Sequence, residues 1–454
     1  MNKENQVAKP SKALMHMAEE WELVSTLLGG TFEIRTKGEK YLPKFERESD
    51  NKYQKRLQTA TLFPAYSRTI DILSSKPFSK SLTLKTPANI EQWLENADLQ
   101  GRDIDTFASD VFYDALAYGA CGVLVEFPVS GDIKSLAQEK EAGLRPYFVH
   151  YRAKDVLGWR EEVQNGVSKL IQLRLRECKM EADGEFGEKE VEYIRVLKPG
   201  SWELWKKNEK DDWVLSESGV TTIKEIPFVP FYGNRNRGFM CAKPALIELA
   251  HLNIEHYQSS SDQRNILHVA RVPILALIGV NESDEVVAGS SSAANLPMGA
   301  DMKFVEHSGA AIGAGRESIL DLEERMRQTG AELLVIQPGK ITATQVYTED
   351  EGNKCALQRI VESFESSMNR CLQFMADWVG ESDGGSVELF KDFGAASLTD
   401  ASAQILLAAA NANKISDATL IEEYKRRGIL SYEINADDEK DRISLQGPAL
   451  SEVA

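Results

Sequence analysis

From Ala356 to Val379 the apolar residues Ala356, Leu357, Ile360, Val361, Phe364, Met368, Leu372, Met375 and Val379 recur every three or four positions. That is the period of an α-helix with one apolar stripe. Thr348 and Glu351 read as a capping box ahead of it, so the helix is predicted to run for about 30 residues, roughly 45 Å at about 1.5 Å per residue. Such a rod must bury its stripe against a large surface. A chain of 454 residues can supply one, within one large domain or two to three ordinary ones.

Other stretches follow this period or a two-residue one. Leu14, Met17, Trp21, Val24 and Leu28 repeat at helical spacing until Gly29 and Gly30. A second helical region spans about Ser49 to Leu73, and Pro64 inside it predicts two helices or one kinked helix. Between Cys121 and Tyr232 the pattern becomes strand-like. "GVLVEFPV" is a short buried run, and Ile171, Leu173 and Leu175 alternate with Gln172, Arg174 and Arg176. Pro199 and Gly200 supply a turn between two strands. After Gly238 long helices return, the first opened by Pro244 and continuing to about His268. "VPILALIGV", "AGSSSAANLPMGAD" and "MKFVEH" then read as strand, loop and strand, leading into a charged helix. The chain is therefore expected to be α+β.

Its chemistry is sparse. "SGAAIGAGRES" lacks the Gly-Lys-Ser/Thr of a phosphate loop and the third glycine of a dinucleotide fingerprint, and reads as a joint before a helix. His251 and His256 are five apart where a helical metal pair wants four. Glu255, at i+4 from His251, reads as a helix-surface partner. "GSSSAA" has no nucleophile-elbow context. Five scattered cysteines without a CxxC pair indicate neither a disulfide framework nor a zinc site. No catalytic, cofactor or metal residue is assigned. "MNKENQVAKPSK" contains no apolar signal core, and the longest apolar run is too short to span a bilayer, which predicts a soluble protein made in a reducing cytoplasm without a membrane partner.

"LLAAANANKISDATLIEEYKRRGIL" (Leu406–Leu430) reads as helix, turn and helix, with Ser416 as an N-cap and Asp417 in the first turn. Two short helices suggest a DNA-reading motif. Charge opposes that: the chain carries 70 acids against 53 bases, net −17, and 20 acids against 11 bases from Gln337 onward. Sequence readers draw affinity from phosphate neutralisation and show a basic face. Lys425, Arg426 and Arg427 are accounted for by the negative end of the helix dipole.

Three segments carry a family resemblance. "YLPKFERESDNKYQKRLQTATLFPAYSRTIDILSSKPF" (Tyr41–Phe78) looks like the opening of one phage portal subfamily. "DVFYDALAYGACGVLVEF" resembles the helix-then-strand of a portal wing, and "NANKISDATLIEEYKRRGIL…DDEKDRI" is similar to a portal crown. Their order resembles that of the tailed-bacteriophage portal proteins, the head–tail connectors.

The resemblance implies a portal fold: an α+β wing over residues 1–238, a first stem helix over 239–269, a small β-containing clip over 270–315 and a second stem helix over 316–336. A tunnel loop over 337–350, a long wing helix and wing return over 351–395, and a helical crown with an acidic tail over 396–454 would follow. It further implies a homo-oligomeric ring, usually of twelve copies, at one capsid vertex of the virion. That ring would be the conduit for double-stranded DNA in packaging and ejection. Implied partners are the terminase large subunit, head–tail adaptors, and the major capsid and scaffolding proteins. Lys340, Thr342, Thr344 and Gln345 would line the DNA path, and Ser290, Ser291, Ser292 and Asn295 would dock the motor or an adaptor. The competing reading is a cytoplasmic α+β enzyme, hydrolase-like, without a recognisable motif.

Overall fold

Pro64 divides the second helical region. Helix α1 spans Lys12–Leu28 and α2 spans Gly30–Thr36; α3 (Asp50–Thr59) stops five residues short of α4 (Ala65–Ser75). The computed structural model describes residues 6–128, 144–270, 274–279, 301–305, 310–334, 354–391, 393, 407–408, 410, 412, 414–426, 430 and 442. Strand β1 (Thr83–Lys85), α5 (Ala88–Leu94) and α6 (Ile104–Tyr118) follow. Then come β2 (Ala120–Glu126), β3 (Tyr147–Arg152), β4 (Val156–Gln164), β5 (Val167–Asp183), β6 (Gly187–Lys198), β7 (Ser201–Lys207), β8 (Trp213–Val220) and β9 (Phe228–Tyr232). The second half contains α7 (Ile247–Ala270), β10 (Ile274–Ile278), β11 (Asp301–Val305), α8 (Ala310–Ala331), α9 (Ala356–Val379), β12 (Ser386–Glu388) and α10 (Asp417–Arg426). The chain is α+β. Among the described residues no helix is long and apolar enough to cross a membrane.

Two compact units form, one from residues 1–73 and 110–332, the other from 74–109 and 333–454. In the first unit the predicted β-rich segment makes two antiparallel sheets, ordered β3-β2-β9 and β4-β5-β6-β7-β8. Strand alternation gives the larger sheet two apolar faces. Leu173, Leu175 and Leu197 join Leu14 and Trp21 of α1, Leu124 of β2 and Phe228 of β9 in one core. On the opposite face Leu157, Ile194, Val196 and Trp213 are covered by Val7 and Ala8. That N-terminal segment is held by Arg174, which donates to the carbonyls of Gln6 and Val7 at 2.9 and 2.7 Å.

Arg195, half-buried on β6, is the polar tie of the first core. Its guanidinium pairs with Glu126 at the end of β2 and with Glu177 on β5. Tyr151 donates to Glu177 at 2.7 Å, and Tyr147 donates to Glu126 at 3.1 Å. Burial alone would raise the Glu177 carboxyl, but the charge and hydrogen bonds of Arg195, with Tyr151 and Lys179, outweigh it and hold the acid below its ordinary range.

In the second unit α9 buries most of the predicted stripe: Leu357, Val361, Phe364, Met368, Leu372 and Met375 are inaccessible, Ile360 and Val379 are half-buried, and Ala356 is exposed. Glu365, also buried, accepts from the Leu389 amide at 2.7 Å and from Lys391 Nζ at 2.9 Å, and Asn369 accepts from the Val387 amide at 2.8 Å. These bonds lead the returning chain into β12, which pairs with β1. The helix has 24 residues, fewer than its sequence pattern suggests. Its cap is Cys355, whose extended backbone donates its N–H to Gln358 at 2.8 Å. Thr348 and Glu351 lie outside the described residues. Gly380, left-handed at φ 75°, ends the helix.

A depressed carboxyl stabilises the fold above its unfolded pKa, and that stabilisation disappears as pH falls through the folded pKa. Lowering pH from about 5 to below about 4, the unfolded glutamate range, should therefore destabilise the wild-type first unit more than a Glu177→Gln variant. Thermal melts of both chains across that interval check it.

Candidate functional site

Helices α7 and α8 lie antiparallel with a constant register. Gln263 donates to the Ile312 carbonyl at 2.9 Å, His256 meets Glu323 at 3.2 Å, and Arg325 reaches Glu255 at 3.3 Å. At the far end a Cβ on Gly330 would stand 3.3 Å from Thr69 Cγ2 and 3.8 Å from Leu249 Cδ2. Leu322 and Met326 are the buried large apolar side chains among the described residues of α8, one helical turn apart. From Gly313 to Asp321 α8 is mostly exposed, so the half of the pair nearest the strands has little apolar cover.

Where the two helices meet the strands, β10 and β11 pair antiparallel from Ile274↔Val305 to Ile278↔Asp301. The segment is thus helix, strand, strand and helix. Ser290, Ser291, Ser292 and Asn295 fall between these strands, outside the described residues. Lys340, Thr342, Thr344 and Gln345 fall between Leu334 and α9, also outside them.

The base of α7 is set by polar bonds that sequence periodicity does not reveal. Asn253, fully buried, accepts from the Tyr66 amide at 3.0 Å and donates to the Phe63 carbonyl at 2.8 Å. It caps α4 and takes up the carbonyl next to Pro64. Gln258 donates to the Tyr41 carbonyl at 3.0 Å, and Arg264 to that of Thr59 at 2.9 Å. Tyr66 in turn donates its hydroxyl to the Ala117 carbonyl at 2.8 Å.

Two sequence readings change here. Helix α8 opens at Ala310, so Gly313 and Gly315 are helical and do not form a joint ahead of it. The physical reason is close packing: a Cβ on Gly315 would stand 2.3 Å from Gln263 Oε1. Glu255 pairs across to Arg325 on α8 and not along its own helix to His251. His256 is half of an inter-helix contact, and its ring stacks against Phe63 with centroids 5.3 Å apart. Its signal in the sequence is only its position two turns from Gln263 on the same α7 face.

Comparisons with known proteins bear on this same region. A family described as a domain of unknown function, DUF4055, matches residues 245–379, from the start of α7 to the end of α9. No curated protein matches the chain. Solved structures to which it is similar include the neck of an empty gene transfer agent particle computed with C6 symmetry, at TM-score 0.42 and 12% identity over 81% of this chain and 90% of that one. The neck of the native particle computed with C12 symmetry gives 0.40 and 11% over 80% and 89%. The virion of the native particle gives 0.39 and 11% over 85% and 90%. Likenesses at this score and identity transfer no role to the chain.

Replacing Asn253 with Ala takes the side-chain acceptor from the buried Tyr66 amide, at about 1–3 kcal/mol, while the Phe63 carbonyl keeps the Ala65 amide at 2.9 Å. Asn253→Ala should cost about 1–3 kcal/mol in denaturant unfolding. Hydrogen exchange at the Tyr66 amide should rise in the same variant.

Proposed function

We propose that the chain is a portal-type subunit, a structural component of a phage-like particle that forms a ring at one capsid vertex. The ring serves as the conduit for double-stranded DNA and as the docking site for the packaging motor and head–tail adaptors. The observation that carries this reading is the α7–β10–β11–α8 excursion between the β-sheet unit and the long amphipathic α9. That order of parts is the one the sequence resemblance implies. Helix α10 agrees with the crown reading: the Ser416 hydroxyl accepts from the Thr419 amide at 3.1 Å as an N-cap.

The charge balance suits the role. A conduit must release what passes through it, and a net −17 chain adds little counterion-release affinity for phosphate. In this reading Lys340, Thr342, Thr344 and Gln345 give a polar, nearly neutral tip that touches DNA without trapping it. Ser290, Ser291, Ser292 and Asn295 belong to the docking surface.

Negative-stain images of the purified chain should contain closed rings with a central hole, at least at high concentration, because a head-to-tail interface either closes or runs on as a filament. The triple variant Thr342→Lys, Thr344→Lys and Gln345→Lys should keep the rings, make DNA retention depend on salt, and slow or stall packaging. Packaging at the wild-type rate would remove the loop from the tunnel. Subunit-sized particles at every concentration, with turnover of a small substrate, would favour the enzyme instead.

A further inference from the structure

Strands β5 and β6 outrun the rest of their sheet. β4 accompanies β5 only over Val167–Leu175, and β7 accompanies β6 only over Tyr193–Lys198. From Cys178↔Glu192 to Asp183↔Gly187 the two pair with each other alone. Residues 178–190 are exposed without a break. A two-stranded ribbon is marginal by itself, and its open edges and uncovered side chains invite a partner.

Alternation sorts the ribbon's side chains. One face carries Cys178, Met180 and Ala182 on β5 beside Glu188, Glu190 and Glu192 on β6, an apolar row next to an acidic one. Met180 is 61% exposed, and Phe186 in the turn is 91% exposed. A fitting surface offers cations beside exposed apolar groups.

This chain has such a surface. Residues 35–73 hold nine bases and five acids, in a chain of net −17. Lys37 and Lys40 are tied to Glu22, Lys44 to Asp50, and Arg56 to Glu48. Lys52 and Lys55 on α3 are exposed and have no ion-pair partner among the described residues. Arg35 of α2 donates to the Ala60 carbonyl at the C-terminal end of α3 at 2.7 Å, and Thr31 Oγ1 accepts from the Leu62 amide at 3.1 Å. That bond places the next residues along, Phe32 (80% exposed) and Phe63 (42% exposed), at one junction.

We infer that the β5–β6 ribbon docks on the α2–α3 surface of a second copy of this chain, with Phe186 at Phe32 and Phe63, and Glu188 and Glu190 opposite Lys52 and Lys55. Ribbon and acceptor are different patches, so the contact is head-to-tail, the type a ring requires. The inference rests on the ring reading and assigns its interface.

The test is a charge exchange in the full chain, read by sedimentation equilibrium and negative stain. The ribbon reversal Glu188→Lys with Glu190→Lys should weaken self-association at least about tenfold, as should the acceptor reversal Lys52→Glu with Lys55→Glu, since like charges then face each other. All four substitutions in one chain should restore it to within about threefold. These surface changes leave the melting temperature of the monomer in place. Equal assembly by all four chains overturns the ribbon contact and spares the ring reading. Ribbon-dependent association that never closes into rings does the reverse. Should the wild type stay monomeric in both measurements, a photo-reactive benzoylphenylalanine at position 186 decides. Cross-links into residues 31–63 of another copy support the contact, and labelling elsewhere, or none, overturns it.

Discussion

The docking of α7 is the constraint on which the first unit depends. One face of this helix carries Asn253 against the break between α3 and α4, Gln258 against Tyr41 and Arg264 against Thr59. Another carries His256, Glu255 and Gln263 against α8. A helix of 24 residues is a rigid element about 36 Å long. Fixing its base therefore fixes the line along which α8 and the β10–β11 ladder are presented. The buried amide of Asn253 matters most, because the buried Tyr66 N–H it satisfies has no water to replace it.

A second constraint is electrostatic. In the proposed ring an acidic chain keeps phosphate at a distance, yet must still bring its own copies together. Concentrating bases in residues 35–73 and acids on the β5–β6 ribbon separates these demands. Opposite signs on different patches favour head-to-tail contact and disfavour symmetric pairing of like patches. The buried tie of Arg195 with Glu126 and Glu177 stands at the root of the ribbon, where β5 and β6 leave their neighbours.

Much of this was legible in advance. The Pro64 break, the strand run from Cys121 to Tyr232, the Pro199–Gly200 turn, the stripe of α9 and the Ser416 cap are local in origin. They depend on ring closure at proline, on the two-residue and 3.6-residue periods, and on one side chain reaching a nearby amide. The proposed docking and tunnel residues came from family resemblance, and they lie outside the described residues. Their composition is rich in small and polar side chains, which have no period from which a contact can be read.

The sequence by itself determined which stretches are helix or strand, which faces are apolar, and that the chain is acidic with little recognisable chemistry. Tertiary structure alone decided that α8 begins at Ala310, that Glu255 turns to Arg325, that Asn253 holds the α4 cap, and that β5 and β6 project beyond their sheet. All but the last are pairings between residues far apart in the chain. Period and propensity act over a turn or two, whereas such pairings are chosen by burial and by the need of every buried polar group for a partner.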